Sequence, residues 1–194
     1  MRMAKEQDLF WQALEPEYRR ALLFCRKLMG DRDKGDDLFQ DSLVTACTRF
    51  GDLRDPGAFR SWLYRVMIST FQSTVRRPWW RRMQALTPDA EKLLVTADPA
   101  EVHGARRWLE RAFRVIDTED QALIVLHELE GWSVKELAAL QELSESNIKV
   151  RLFRARKKMR EQLERHRAKA DADRNKSGTK SEAEGCVATK FGTE

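Results

Sequence analysis

Apolar residues recur three or four positions apart over most of the first 160 residues, and no stretch alternates apolar and polar long enough for a strand. The first stripe is Leu9, Phe10, Leu14, Tyr18, Ala21, Leu22, Cys25 and Leu28, with Pro16 placed to split it or to open its second half. Gly30 and Asp31 end that stretch. A short acidic turn then leads into a helix from Asp36, which should set Leu38, Val44 and Cys47 to one side and Asp37, Gln40 and Asp41 toward solvent. Gly51 to Gly57 forms a break in which Asp55 and Pro56 suit a helix start. The helix that follows, Ala58 to about Arg77, carries Phe59, Trp62, Leu63, Val66 and Met67 interleaved with Arg60, Tyr64 and Arg65.

Residues 83–97 have weak periodicity and read as a linker. Asp98 and Pro99 restart helical structure as cap and first position, ahead of a stripe of Trp108, Leu109, Ala112, Phe113 and Ile116. Thr118 with Gln121 has the capping-box spacing and precedes Leu123, Ile124, Leu126 and Leu129, before Gly131 closes that helix. Residues 133–158 then read as two helices joined by a tight turn. Ser133 with Glu136 gives a second capping box, Val134, Leu137, Ala138 and Leu140 follow, and Ser144 can cap a helix that buries Ile148, Leu152 and Ala155. From His166 the chain is polar, small and mixed in charge, which predicts disorder. The pattern predicts an all-α protein: two small helical domains at 6–82 and 98–165, a flexible linker at 83–97, and a disordered tail at 166–194.

Charge sharpens the picture. A formal charge of +5 suits a polyanionic partner. The second helix of the 133–158 pair exposes Ser146, Asn147, Lys149, Arg151, Arg154, Arg156, Lys157 and Lys158. Asn and Arg can read base edges in a major groove while Lys and Arg hold phosphates. A basic, solvated helix in an ordinary bundle would show the same composition. In Arg76-Arg77-Pro78-Trp79-Trp80-Arg81-Arg82, cations lie beside large aromatics. Three roles suit that segment: stacking on single-stranded nucleic acid, anchoring at a membrane surface, or covering the end of the bundle.

Other chemistries find little support. No apolar run approaches the roughly 20 residues of a membrane span, and the charged N-terminus predicts no export. Cys25, Cys47 and Cys186 are too few and scattered for a disulfide framework or a CxxC metal site, which points to the cytoplasm. His103, His127 and His166 stand apart from any nucleophile, and no phosphate loop or metal-ligand cluster occurs. Asp36, Asp37 and Asp41 could hold magnesium only if they converged, and consecutive acids on a helix diverge. We therefore expect no catalysis, no cofactor, no metal and no small-molecule substrate.

Three segments, in this order, resemble the sigma factors of bacterial RNA polymerase, specifically the extracytoplasmic-function type of the sigma-70 family: GDDLFQDSLVTA (35–46), FRSWLYRVMISTFQSTVRR (59–77) and LHELEGWSVKELAALQELSESNIKVRLFRARKKMR (126–160). With their spacers they cover roughly residues 6 to 165. The resemblance implies that Asp37, Gln40 and Asp41, with Leu38 as an apolar anchor, meet the clamp helices of the polymerase's largest subunit, the flap being a further contact. It implies that Trp62, Tyr64, Arg65, Ser69, Arg76 and Arg77 hold the start-site-proximal promoter element as it melts, with Trp62 and Leu63 the first candidates for core. It assigns Ser146, Asn147, Lys149, Arg151 and Arg154 to the major groove of a more distant element. It also brings an anti-sigma factor as the partner many relatives have, although no residue here shows one.

Two departures stand out. Ser69 occupies a position where the family usually has Asn, and Gln141-Glu142 stands where its turn commonly contains Gly. The alternative function is a free-standing helix-turn-helix regulator of duplex DNA, which has no need of an acidic first-domain helix or a Trp/Arg surface.

Overall fold

A computed structural model describes residues 2–77 and 109–185, with side chains described for 6–77 and 109–168. Among these the chain is all-α. In the first block α1 (Arg2–Leu14) and α2 (Tyr18–Met29) are separated at Pro16. Gly30 takes the left-handed conformation (φ 64°), which a residue without Cβ adopts at little cost, and its N–H bonds the Arg26 carbonyl. Asp31 at once caps α3 (Arg32–Arg49) by accepting from the Lys34 N–H. The acidic turn expected before Asp36 is therefore the first turn of α3. Two short 3₁₀ turns, with Asp55 accepting from the Gly57 N–H, lead to α4 (Phe59–Arg76).

The stripe on α3 is Gly35, Leu38, Phe39, Ser42 and Ala46. Val44 lies half a turn away and is 66% exposed, correcting its expected place beside Leu38. Cys47 is half-buried. Gly35 lets α2 and α3 approach closely: a Cβ there would sit 2.4 Å from the Cα of Arg26. On the neighbouring turn the Arg26 guanidinium grips Asp36 at 2.6 and 2.9 Å and holds that carboxyl below the usual carboxylate range. Phe10, Phe50, Phe59 and Trp62 pack mostly edge to face at one end of this block.

In the second block residues 109–113 are helical, with Ala112 and Ile116 buried. The Asp98-Pro99 start, Trp108 and the 83–97 linker lie outside the described residues. α5 (Thr118–Ile124) is capped by Asp117, whose side chain accepts from the Asp120 N–H, so the Thr118–Gln121 box is displaced by the acid one residue earlier. A π-turn over Val125–Leu129 and Gly131 (φ 72°) deliver Trp132 inward, 2% exposed. Next come α6 (Val134–Gln141) and α7 (Glu145–Gly185). The helix is described as far as Gly185, through a stretch rich in the helix formers Ala, Lys, Glu and Arg.

The two blocks share one continuous core and meet along a seam. Trp132 seats on Tyr64 (ring centroids 4.9 Å apart) with the Arg60 guanidinium 4.4 Å over its ring. Around this contact Gln121 Nε2 donates to the Leu28 carbonyl (2.8 Å), Lys27 Nζ to Glu130 (2.6 Å), and Arg65 to Glu142 (2.6 Å). The Tyr64 hydroxyl, Trp132 Nε1, Arg60 Nε and Glu17 Oε2 are buried here without a protein hydrogen bond, the last two 3.7 Å apart. Each such atom costs about 1–3 kcal/mol.

Gly35→Ala pushes a methyl group into backbone that cannot yield cheaply. It should lower stability by about 2–3 kcal/mol in chemical denaturation; a wild-type midpoint would refute the close-packing account.

Candidate nucleic-acid interface

Ser133 opens α6 with a complete capping box: its hydroxyl accepts from the Glu136 N–H, and the Glu136 carboxylate accepts from the Ser133 N–H (2.8 Å). Those bonds hold the Glu136 carboxyl below its ordinary range. Leu137, Ala138 and Leu140 go into the core. The helix ends at Glu142, which takes the left-handed conformation (φ 56°) commonly given to Gly. The strain is of order 1 kcal/mol. The turn thus keeps its left-handed geometry with a charged side chain in it, and that side chain reaches Arg65. Ser144 then caps α7, accepting from the Asn147 N–H (3.3 Å).

Ile148, Leu152 and Ala155 are at most 2% exposed, and they fix the rotation of α7 about its axis. The opposite face carries Ser146, Asn147, Lys149, Arg154 and Lys157, all exposed. Val150 (45% exposed) and Phe153 (66%) sit at its centre. Reading the basic residues alone missed these two, although their spacing from the buried stripe places them outward. A central apolar pair flanked by Asn, Lys and Arg is suited to thymine methyl groups beside polar base edges and phosphates.

Arg151 does not share that face. Its guanidinium donates to Asp120 (2.8 and 2.7 Å) and Glu119 (3.1 Å) and lies 3.8 Å from Asp117. Asp120 is 8% exposed. The charge assigned to the groove is thus spent on clamping α7 to the start of α5, and Arg151 is a positioning residue.

On α4, Arg65, Ser69 and Arg76 recur four and seven residues apart on one exposed face, with Arg77 at its end. Trp62 is half-buried against Phe50 and Phe59, and Leu63 is fully buried. Tyr64, expected to face DNA, is 0% exposed between Phe24 and Trp132. Burial pushes its phenol pKa well up, so it stays neutral. Trp79 and Trp80 lie outside the described residues.

On α3, Asp37, Gln40 and Asp41 are exposed on one face. Leu38, expected as their apolar anchor, is 2% exposed and belongs to the core, while Val44 stands among the exposed polar residues. Among the described residues no group of three His, Cys, Asp or Glu could hold a metal, and no helix is long and apolar enough to cross a membrane.

Arg151→Ala strands a desolvated carboxylate at Asp120 and should cost about 2 kcal/mol of stability, whereas Lys149→Ala should leave the unfolding midpoint unchanged. Equal midpoints for the two variants would remove the clamp.

The comparisons with known proteins agree with this geometry. The family description "Sigma-70 region 2" matches residues 14–81, and "Sigma-70, region 4" matches 106–159. The chain is 31% identical over 142 residues to the "RNA polymerase sigma-E factor" of Streptomyces avermitilis, covering 72% of this chain and 76% of that protein. It is 27% identical over 168 residues to the "ECF RNA polymerase sigma factor SigE" of Mycolicibacterium smegmatis, covering 84% of this chain and 63% of the relative. The fold resembles that of the sigma factor RpoE, solved in complex with the anti-sigma factor NepR from Bartonella quintana (TM-score 0.58, 22% identity, 80% of this chain and 96% of that one). It also resembles CnrH, solved with the cytosolic domain of CnrY (TM-score 0.55, 24% identity, 84% and 94%). The matches to regions 2 and 4, in that order along the chain, and a relative more than 30% identical over three quarters of its length place the chain in the sigma-70 family of RNA polymerase sigma factors, in its extracytoplasmic-function group.

Proposed function

We propose that the chain joins core RNA polymerase, directs it to a two-part promoter and assists melting of the DNA. The observation that carries this reading is the outward face of α7, where Asn147, Lys149, Val150, Phe153 and Arg154 are exposed while Ile148, Leu152 and Ala155 anchor the helix in its domain. That face would enter the major groove of the upstream element. The Arg65–Ser69–Arg76 face of α4, with Arg77 and the edge of Trp62, would meet the start-site-proximal element as its strands part.

Contact with the polymerase falls to α3. Asp37, Gln40 and Asp41 offer acceptors to basic residues of the largest subunit's clamp helices, and Val44 supplies the apolar centre once assigned to Leu38. The flap is the corresponding contact for the second domain. The chain itself carries out no catalytic step and binds no cofactor, metal or small-molecule substrate in this account. It works in the cytoplasm with the polymerase. The anti-sigma complexes of the structural neighbours support an anti-sigma factor as a further partner. A free-standing regulator is not favoured, because it accounts for region 4 and leaves region 2 without a purpose.

Selection of a randomised duplex pool by the assembled holoenzyme tests the reading. Wild type should enrich one upstream sequence. Lys149→Ala should weaken binding to all sequences, and Asn147→Ala should relax one base position by about 1–3 kcal/mol. Identical selections by wild type and Asn147→Ala would remove the reading role. At the other surface Val44→Lys should weaken binding to core polymerase at least about tenfold, near 1.4 kcal/mol, with an unchanged unfolding midpoint. Undiminished affinity would take α3 out of the interface.

A further inference from the structure

We propose that the corner between α1 and α2 is a protein-docking notch that receives an arginine side chain of a partner protein, stacked on Trp11 and Tyr18 and paired with Glu15. The site shares no residue with the faces of α3, α4 and α7 assigned above to polymerase and DNA, so it is a further interaction surface of the first block.

The backbone of the corner is fixed by its own hydrogen bonds. The Glu15 N–H donates to the Trp11 carbonyl (3.0 Å) and the Glu17 N–H to the Leu14 carbonyl (2.9 Å), on either side of Pro16. Between the two helices opens a notch of about 540 Å³ lined by Trp11, Gln12, Leu14, Glu15 and Tyr18. That size lies within the range of small-ligand pockets. Leu14, 1% exposed, forms its floor.

The two aromatic rings are exposed and yet held in place. Trp11 is 50% and Tyr18 46% exposed. Each stands edge to face against a buried ring: Trp11 on Phe10 (centroids 5.4 Å, 71°) and Tyr18 on Phe39 (5.2 Å, 87°). Phe10 and Phe39 are at most 3% exposed, so their positions are set by the core. Rings fixed in this way present contact area at little cost in side-chain entropy. Trp and Tyr, with Arg, are also the residues that dominate the energetics of protein interfaces.

The charge of the lining selects the occupant. Glu15 is the one charged side chain lining the notch, and Gln12 adds an amide oxygen. Asp8, Trp11 and Glu15 follow at intervals of three and four residues, so exposed carboxylates flank Trp11 along that face of α1. Arg19 and Arg20 are exposed on the next turn but do not line the notch. Phosphates are repelled by such carboxylates, which sets this corner apart from the basic DNA faces. A guanidinium meets all the requirements at once, because its plane stacks on aromatic rings while its N–H groups donate to a carboxylate. An ammonium carries the same charge without a plane to stack.

Titration of the full chain with a capped Gly-Arg-Gly peptide tests the notch. Nitrogen-edited NMR resolves the indole N–H signals of the six tryptophans, and Trp11→Phe identifies that of Trp11. The Trp11 signal should shift and saturate with the arginine peptide. Peptides carrying lysine, or the uncharged citrulline, in place of arginine should bind at least about fivefold more weakly. Glu15→Gln should weaken the arginine peptide about fivefold, the upper range for an exposed ion pair, and leave the unfolding midpoint at the wild-type value. An unmoved Trp11 signal, or equal binding of the arginine and citrulline peptides, would overturn the site. Two further results would replace its occupant and so overturn the proposal as well. A Trp11 signal that shifts on dilution without peptide assigns the notch to a second copy of the chain. One that shifts when Arg81 and Arg82 are changed to Ala, with peptide binding then appearing for the first time, assigns it to a segment of the same chain.

Discussion

What this molecule offers to DNA depends on the rotational setting of one helix. Ile148, Leu152 and Ala155 lock α7 into its domain, and Arg151 fastens it to the capped start of α5 through Asp120. These four contacts decide that Asn147, Lys149, Val150, Phe153 and Arg154 face outward. A rotation of one residue, about 100°, would turn Phe153 toward the core and bring the stripe out. The Asp117 cap, the π-turn and the Ser133–Glu136 box all serve to hold the supporting helices at fixed ends, so that the setting is not averaged away.

The first block is built on a different constraint. Gly35 allows α2 and α3 to lie nearly backbone to backbone, and the Arg26–Asp36 fork holds them in register. That closeness takes the inner side of α3 for packing and leaves Asp37, Gln40, Asp41 and Val44 as the outward surface of its middle turns. An acidic face with one apolar centre is therefore a by-product of tight helix pairing, and it matches what a basic partner surface needs. The two blocks then meet through Trp132 in a contact ringed by charged side chains.

Much of this was legible in the sequence. Helical periodicity gave the all-α class, and the Ser133–Glu136 and Ser144 signals gave the helix-turn-helix with its buried stripe. The misses have physical causes. Tyr64 and Leu38 carry side chains equally suited to a core and to an interface, so their burial depends on neighbours distant in sequence: Phe24 and Trp132 for Tyr64, the α2–α3 pairing for Leu38. Arg151 looked like its basic neighbours because its three acidic partners lie some thirty residues earlier. Val44 and Phe153 were hidden by the habit of assigning apolar residues inward, although counting from the stripes Gly35–Leu38–Ser42 and Ile148–Leu152–Ala155 puts both outside. The seam could not be read at all: its pairs join residues 68 to 103 positions apart.

The central claim is that this chain confers promoter choice on a polymerase that lacks it. Run-off transcription over a pooled promoter library, with purified bacterial core polymerase in the presence and absence of the chain, tests that claim most directly. The account predicts discrete start sites only when the chain is present, each preceded by the same two-part sequence. Unchanged, unselective initiation by a polymerase that has demonstrably bound the chain would contradict it.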